Sequence, residues 1–438
     1  MPRKVNYTDK FEKFSRQTYF DKLDPDEKAC VEEMAFRHLL TFQEFRQVVE
    51  AARDLTMWGE GGIANWWQRH RDNAEVGQPS QNDVRKKQLL SNLQSHIVHL
   101  RSQPKMYPKQ PFSRPKKREK SKIVAAQSDK NIFGMCPVAS ERTVCCNLRT
   151  IDAVENCIFG CSYCTIQTFY SDKIVFDEKF AQKLAQIELE KDRFYHIGTG
   201  QSSDSLAWGN RNGILDSLCQ FAADHPNILL EFKTKSNNVR YFLDNPTPPN
   251  IVCSWSMNTP TIIDNEEHFT ANLDERIEAA RQVAACGVKV AFHFHPMVYY
   301  DSWETDYPKV AETLIRQFEP QQVLFVSFGS VTLIKPVLTK IRNLGFQTKM
   351  TQMELVPDPH GKLTYPDDVK IAMFSKIHES FSPWRNEVFF YLCMEKAAIW
   401  ERAFGYVYPD NETFERDFGQ KTLHQKVRRP ALENATPA

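Results

Sequence analysis

Residues 157–168 read CIFGCSYCTIQT and carry a Cys-x3-Cys-x2-Cys run formed by Cys157, Cys161 and Cys164. Cysteine thiolate is the usual protein ligand of iron–sulfur clusters. Three thiolates at this spacing can hold three irons of a cubane, since each thiolate binds its own iron. The fourth iron then keeps an open position at which a small molecule can bind and be reduced. The run therefore indicates a 4Fe-4S cluster.

Structural zinc is the alternative interpretation of three clustered cysteines. Such sites take four ligands, commonly a cysteine pair followed by a second Cys/Cys or Cys/His pair. After the run the next cysteine is Cys219, and His196 stands alone. The adjacent Cys145 and Cys146 have a poor geometry for chelating one tetrahedral ion. The sequence favours the cubane, with zinc or plain structural thiols as the other interpretation.

Around the run, short segments rich in β-branched and aromatic residues alternate with helix-like segments. The predicted helices are 178–191, 273–286 and 307–318, and the predicted strands are 150–154, 194–198, 228–233, 251–255, 288–294 and 323–327. Alternation of this kind is typical of parallel strands with crossover helices, so the six units predict an α/β fold with a partial (β/α)6 TIM-type barrel. Sites in such barrels lie at the carboxyl ends of the strands, and the cysteine run follows the first predicted strand. Residues 388–394 predict either a further strand or a buried helix.

The chain divides into four predicted parts. Residues 1–104 predict an N-terminal helical domain, because Asp24 precedes Pro25 as a helix N-cap and Thr41 with Glu44 forms a capping-box pattern. Residues 105–125 are basic and rich in proline, which predicts a linker. Residues 126–348 contain the predicted barrel, and residues 349–438 predict a C-terminal extension that packs on it.

Composition narrows the class of protein. The 438 residues carry a net charge of only +1, so no global field favours nucleic acid or membrane. Eleven cysteines without a signal peptide fit a reducing cytoplasm, and no run reaches the about 18 apolar residues needed to span a bilayer. The basic linker is a local exception, which can lie on phosphate or simply be solvated.

The cysteine run resembles the signature of the radical SAM superfamily, and the surrounding sequence resembles the spore photoproduct lyase family within it. The run continues as CSYCTIQT, where that family typically has C-x-Y-C-Y-L-Q-T. Three further segments follow the second, third and fourth predicted strands in the family's order. They are GTGQSSD at 198–204, Thr234-Lys235, and WSMN at 255–258.

The resemblance implies a 4Fe-4S cluster on the three cysteines, with S-adenosyl-L-methionine bound at the open iron. Lys235 would supply a cation to the carboxylate of that cofactor, and glycines would let the backbone approach it closely. Tyr163, between two ligands, would pack on the cluster, touch the substrate, or be an ordinary buried aromatic. The implied cofactor-binding residues are Gly198, Gly200, Ser203, Lys235 and Ser256.

Two positions differ from the family pattern. The family has a cysteine immediately before its Ser/Thr-Ser-Asp, as hydrogen donor to the substrate radical, and here that position is Gln201. The family has a tyrosine directly after the third cluster cysteine, and here Thr165 follows Cys164. An amide and an aliphatic alcohol are poor hydrogen-atom donors compared with a thiol or a phenol. The residues that generate the radical are therefore matched, and those that quench it are not.

Other side chains are candidates for lining the barrel or meeting a substrate. His293 and His295 end the fifth predicted strand, and alternation places them on one face. They would handle protons or be satisfied core histidines. Cys253 and Cys393 are expected to be buried, apolar-like thiols. Aromatic residues that would stack on bases, or otherwise fill the core, are Trp66, Trp67, Trp208, Tyr299 and Tyr300.

The resemblance implies the function of a cytoplasmic radical SAM lyase. Reductive cleavage of S-adenosylmethionine would give methionine and a 5′-deoxyadenosyl radical, which takes a hydrogen from a substrate at the barrel mouth. The implied substrate is DNA, in a repair-type reaction, and the implied partner is an electron donor such as flavodoxin or ferredoxin. Two alternatives stand beside it: the same radical chemistry on a protein or small-molecule substrate, and a non-catalytic iron–sulfur binding protein.

Overall fold

The computed structural model describes residues 6–70, 79–113, 122–136, 142–168 and 173–427. The chain forms two compact units. The first contains Met1–Lys116, Tyr299–Asp301 and Leu333–Leu363, and the second contains Lys117–Val298, Ser302–Thr332 and Thr364–Ala438. The four-part domain division made from the sequence remains a prediction. Part of the basic linker, residues 114–121, lies outside the described residues.

Five helices form the N-terminal part of the first unit, and two of them begin at residues that cap the helix. Asp24 accepts a hydrogen bond of 2.9 Å from the Glu27 amide at the start of the second helix. Thr41 and Glu44 form the predicted capping box, with bonds of 2.7 and 3.5 Å. The helical prediction for this region is therefore confirmed. The helices are α1 Tyr7–Arg16, α2 Pro25–His38, α3 Phe42–Trp58, α4 Gly62–His70 and α5 Pro79–Ser102.

The first unit is held by an aromatic cluster and a buried carboxylate. Phe45 is fully buried against three other phenylalanine rings. Asp54 is 2% exposed and pairs with Arg342 at 2.7 Å and with Arg101 at 3.3 Å. Three of the aromatic residues considered for stacking also fill this core, namely Trp66, Trp67 and Tyr300.

A curled sheet of eight strands forms the centre of the second unit. Seven strands run parallel in chain order, and Phe133–Met135 adds an antiparallel edge strand next to the first. The partial barrel predicted from six strands is confirmed. Residues 388–394 supply a seventh parallel strand, because Phe389–Leu392 pairs along the sixth. The strands are β1 Arg149–Ile151, β2 Tyr195–Thr199, β3 Ile228–Thr234, β4 Ile251–Ser256, β5 Lys289–Met297, β6 Val323–Ser330 and β7 Phe389–Leu392.

Helices connect the parallel strands. The predictions for 273–286 and 307–318 are confirmed by Leu273–Ala285 and Trp303–Gln317. The helix predicted for 178–191 ends at Leu184, so the prediction is wrong beyond that residue. Phe180 and Leu184 are the buried residues of the short helix that forms. Further along, the Asn227 side chain binds the carbonyls of Glu190 and Arg193 at 2.9 and 2.7 Å. The helices are α6 Phe180–Leu184, α7 Ile214–Asp224, α8 Arg240–Asp244, α9 Pro260–Glu266, α10 Leu273–Ala285, α11 Trp303–Gln317, α12 Lys335–Leu344 (in the first unit), α13 Asp367–Ser380, α14 Ala397–Phe404 and α15 Asn411–Val427.

The last helix closes the amino end of the curled sheet. The ring of Phe418 in α15 lies 4.8 Å from His196, 5.4 Å from Phe325 and 5.1 Å from Phe389. These three residues stand near the starts of β2, β6 and β7. The carboxyl ends of the strands are thus left to form a site, as in other barrels of parallel strands.

None of the described helices combines the length and apolar character that crossing a bilayer requires.

Candidate active site

The cysteine run lies in a loop that follows β1. Within it, Gly160–Cys161 pairs antiparallel with Glu267–His268, which follows β4 and α9. The amide of Ser162 donates to the carbonyl of Glu266 at 2.8 Å. Asn156 starts the loop with a φ of +72°, a left-handed conformation that asparagine tolerates. Backbone pairing therefore places the run at the carboxyl end of the sheet.

The three thiols lie close enough to influence one another's protonation. Cys161 is 8% exposed, and Cys157 and Cys164 are half-buried. Burial raises the pKa of Cys161 to about 12, although the nearby charge of Lys235 opposes this shift. Burial and the carboxylate of Asp204 raise the pKa of Cys157 well above its usual range. A metal centre bound here must therefore displace protons from the thiols.

The donor set suits a cluster better than a single ion. Within the part of the chain that the structure describes, no three His, Cys, Asp or Glu side chains converge on one metal position. A zinc ion needs four donors on one centre, whereas a cubane takes each thiolate on a separate iron. Cys157, Cys161 and Cys164 share one loop, and three thiolates suit a cubane that takes each of them on a separate iron.

The glycines of the GTGQSSD segment occupy the end of β2 and the turn after it. Gly198 lies in β2, in register with Glu231 of β3. Gly200 has a φ of +75°, and a Cβ at this position would lie 2.7 Å from the amide nitrogen of Ser205. Because only glycine fits there without strain, the turn itself requires Gly200.

The polar residues of the same segment bond back to the region around the cysteine run. The Ser203 hydroxyl donates to the carbonyl of Asn156 at 3.0 Å, one residue before Cys157. The backbone of Gln201 bonds to the carboxylate of Asp152, and its side chain is half-buried. These bonds place Ser203 and Gln201 beside the start of the cysteine loop.

Asp204 links the ends of β2 and β3. One of its carboxylate oxygens accepts from the Thr234 hydroxyl at 2.7 Å and from the Leu206 and Ala207 amides at 3.1 and 2.9 Å. The other accepts from the Lys235 amide at 2.8 Å. Asp204 thus holds the backbone amide of Lys235 and positions this residue at the end of β3.

Lys235, Tyr163 and Ser256 are brought together by a buried ion pair. The Lys235 ammonium lies 5.8 Å from the centroid of the Tyr163 ring. The Tyr163 hydroxyl donates to Glu267, and Glu267 pairs with Arg276 at 2.6 Å. Arg276 also donates to the carbonyl of Ser256 at 2.7 Å. No sequence pattern points to Glu267 and Arg276, because a Glu after α9 and an Arg within α10 carry no signal that distinguishes them from solvated charges.

The charges in this group fix its protonation. Burial alone would raise the pKa of Glu267, but Arg276, Lys235 and the Tyr163 hydroxyl lower it below its usual range. Burial and the neighbouring Glu267 raise the pKa of Tyr163 well above its usual range. Tyr163 therefore stays protonated, with its hydroxyl directed at Glu267.

A second polar network runs through the barrel interior, and only part of it was expected from the sequence. Glu231 of β3 accepts from His196 at 2.8 Å, from the Ser254 hydroxyl and from His293. His293 and His295 share a face, as predicted, and both bond to the hydroxyl of Ser327, His295 at 3.1 Å. Burial and the charge of Lys233 lower the pKa of His293 to about 4. The alternation of β5 predicts that the two histidines share a face, but their partners Glu231 and Ser327 come from two other strands, β3 and β6.

The two thiols expected to be buried differ. Cys253 in β4 is 0% exposed, as expected. The prediction for Cys393 is confirmed only in part: the residue follows the last residue of β7 and is half-buried, although burial raises the pKa of its thiol above its usual range.

Comparison with known proteins identifies relatives of the barrel. A family model described as spore photoproduct lyase matches residues 148–355. The spore photoproduct lyase of Geobacillus sp. (strain Y412MC61) is 27% identical over 175 residues, which are 39% of this chain and 51% of that protein. The enzyme of the same name from Clostridium acetobutylicum is 22% identical over 226 residues, 49% of this chain and 67% of that protein. The chain thus spans about half the length of the first of these relatives.

Solved structures share the fold. A spore photoproduct lyase variant with bound AdoMet and dinucleoside spore photoproduct superposes with a TM-score of 0.54 at 18% identity, covering 69% of this chain and 94% of that chain. A complex of spore photoproduct lyase with dinucleoside spore photoproduct gives a TM-score of 0.53 at 19% identity, with 62% and 82% covered. At this identity the likeness shows the fold alone.

Proposed function

From the match of residues 148–355 to the spore photoproduct lyase family model, we propose that this chain is a spore photoproduct lyase-like radical SAM enzyme, a lyase acting on DNA. The observation that carries the proposal is the meeting of the cysteine loop with the ends of β2, β3 and β4. Lys235, Ser203 and Ser256 come from three different strand ends and lie around Cys157–Cys164.

The cluster site consists of this chain's three clustered thiols. Cys157, Cys161 and Cys164 would each bind one iron of a 4Fe-4S cluster and leave the fourth iron for S-adenosyl-L-methionine. When bound, the cluster supplies the electron that splits S-adenosyl-L-methionine into methionine and a 5′-deoxyadenosyl radical. Ligation needs the ionised form of Cys161, and the charge of Lys235 opposes the rise in pKa that burial causes in this thiol.

The cofactor-binding residues have distinct tasks. Lys235 would pair with the carboxylate of S-adenosyl-L-methionine, and Glu267 with Tyr163 would keep its ammonium pointed at the site. The Ser203 and Ser256 hydroxyls would bond the amino acid or ribose part. Gly198 and Gly200 would let the backbone pass close to the ligand.

DNA is the proposed substrate, in a repair-type reaction, because the solved relatives include complexes with dinucleoside spore photoproduct. The basic segment 105–125 would add phosphate contacts. A flavodoxin or ferredoxin would deliver the electron. Eleven cysteines in one chain fit work in a reducing cytoplasm.

The test is anaerobic reconstitution with iron and sulfide, followed by dithionite, S-adenosyl-L-methionine and irradiated DNA. We expect 5′-deoxyadenosine and repaired thymine in the wild type, and neither when any one of the three cysteines is replaced by alanine. A full cluster that yields no 5′-deoxyadenosine with or without damaged DNA would refute the radical function.

A second candidate keeps the radical chemistry and changes the substrate to a protein or small molecule. Gln201 and Thr165 favour it, since they stand where the family has its thiol and phenol. DNA binding by filter retention at several salt concentrations separates the two candidates. A steep fall in affinity with salt supports DNA as substrate, and no binding at low salt supports the second candidate.

A further inference from the structure

The seventh strand carries a phenol, and a thiol follows it at the end of the barrel where the radical is expected. Tyr391 in β7 is in register with Ser327 of β6, and Cys393 directly follows the last residue of the strand. The amide of Cys393 donates to the carbonyl of Phe328 at 2.8 Å, so pairing with β6 continues to this residue. Cys393 therefore stands at the carboxyl end of the sheet, as the cysteine run does.

The contacts of Tyr391 indicate which face of the sheet the side chain of Cys393 lies on. The Tyr391 ring lies 5.7 Å from Phe325, and its hydroxyl bonds to Ser327, which in turn bonds to His293 and His295 inside the barrel. Side chains two apart on a strand share a face. The thiol of Cys393 thus points to the same interior as Tyr391, one step nearer the mouth.

The segment around Cys393 is held firmly, and Cys393 is less enclosed than Tyr391. Glu395 pairs with Lys370 at 2.7 Å and accepts from the Ser330 hydroxyl at 3.1 Å. Tyr391 is 2% exposed, whereas Cys393 is half-buried. Of the two residues, Cys393 is thus the more exposed and the nearer to the carboxyl end of the sheet.

Other thiols border Cys393. The amide of Val144 donates to the carbonyl of Glu395 at 3.0 Å in an isolated antiparallel bridge, and the thiols of Cys145 and Cys146 lie near enough to Cys393 to interact with it electrostatically. The thiols of Cys145 and Cys146 bond to each other. Burial and the Cys145 thiol raise the pKa of Cys393 above its usual range. Cys393 is thus held as S–H, the form from which a hydrogen atom can be given.

We propose that Cys393 is the hydrogen-atom donor of this enzyme and replaces the thiol that position 201 lacks. The proposal rests on the radical function proposed above. The S–H bond of Cys393 breaks, its hydrogen atom forms a C–H bond with the substrate radical, and a thiyl radical remains on sulfur. One electron from a flavodoxin- or ferredoxin-type donor and one proton from solvent return the thiyl radical to the thiol.

The test follows deuterium, because the S–H hydrogen exchanges with solvent. Reconstituted wild type and Cys393→Ser are incubated in deuterated water with S-adenosyl-L-methionine, dithionite and dinucleoside spore photoproduct. We expect one solvent deuterium in the wild-type product. In Cys393→Ser the labelled product falls by about tenfold or more while 5′-deoxyadenosine still forms. Cys286→Ser, which removes an exposed thiol after α10, is the matched control and keeps the wild-type labelling.

A gain-of-function variant adds a readout that a merely structural role would not move. Gln201→Cys in the Cys393→Ser background restores a thiol at the family position, so labelled product should return. Cluster absorbance and circular dichroism establish that each variant is folded, and Cys393→Ala replaces Cys393→Ser if the serine variant is not. Unchanged labelling in folded Cys393→Ser overturns the proposal.

Failure of the donor proposal and failure of the proposed function give different results. If the wild type forms 5′-deoxyadenosine but does not process the dinucleoside, DNA is not the substrate. The label is then measured in 5′-deoxyadenosine made without substrate, where a nearby S–D group quenches the radical. Deuterium that is lost in Cys393→Ser supports the donor, and deuterium that persists overturns it. A full cluster without any 5′-deoxyadenosine overturns both proposals.

Discussion

The two halves of the barrel mouth are built in different ways. At the ends of β1 to β4, each candidate residue sits in a short segment such as CIFGCSYC or GTGQSSD, and bonds within or between neighbouring loops hold it. At the ends of β5 to β7, His293, Ser327 and Cys393 come from positions up to 100 residues apart. The first half can be found from motifs, and the second exists only once the sheet has formed.

The largest expected effect is in the motif half. Cys161→Ala removes one of three thiolates, so a cubane loses an iron ligand and cluster assembly should be abolished. Iron content and the brown chromophore after reconstitution provide the measurement. Cys219→Ala, in α7, should assemble the cluster normally. A Cys161→Ala protein with full iron and colour would disprove the ligand assignment.

Arg276→Ala should strongly destabilise the motif half. It leaves the carboxylate of Glu267 buried without its partner, and both side chains are at most 1% exposed. Removing one member of a buried pair typically costs about 3–5 kcal/mol. Arg281→Ala is the matched control, because its pair with Glu278 is about half exposed and such pairs contribute about 0–1 kcal/mol. Urea denaturation measures both, and equal losses would mean that the Glu267–Arg276 pair has no special weight.

The half of the barrel mouth formed by β5 to β7 should make the free energy of unfolding depend on pH. Burial lowers the pKa of His293 to about 4 in the folded chain, whereas an unfolded histidine titrates near about 6.5. The unfolded state therefore binds the proton first as pH falls. Stability should decline between those two values by up to about 3 kcal/mol.

Denaturant midpoints for wild type and His293→Gln across that pH window test this expectation. The variant should lose less stability on acidification. In His293→Gln the decline of stability with falling pH should be reduced rather than abolished, because burial also lowers the pKa of His378 to about 4. An identical slope in both proteins would rule out His293 as a source of the pH dependence.

Gly200→Ala gives the smallest expected effect. The left-handed turn and the contact with the Ser205 amide strain the backbone, at a cost of about 1–3 kcal/mol. Gly287→Ala is the control, since its φ of +78° is similar but nothing lies within 4 Å of an added Cβ. Thermal unfolding should rank Gly200→Ala below Gly287→Ala. The reverse order would show that crowding around Ser205 is relieved at little cost.

Predictions made from the sequence agree with the structure where the signal lies in residues that are close together in the chain. The six predicted strands and the caps at Asp24 and Thr41 were recognised because they depend on alternation or on partners three residues away. The helix predicted to run to residue 191 was overestimated, since a helix persists only where it finds apolar surface. Residues 388–394 stayed ambiguous because a short apolar run suits both a strand and a buried helix.

By itself the sequence determined the alternating α/β architecture, the cysteine run and the order of the motifs at the strand ends, because each is written in neighbouring residues. Only the tertiary structure decided the ion pair behind Tyr163, the network around Glu231, and the half-buried position of Cys393. Strand register and sheet curvature bring these groups together. The protonation of a buried charge or thiol then depends on partners that are far away in the chain.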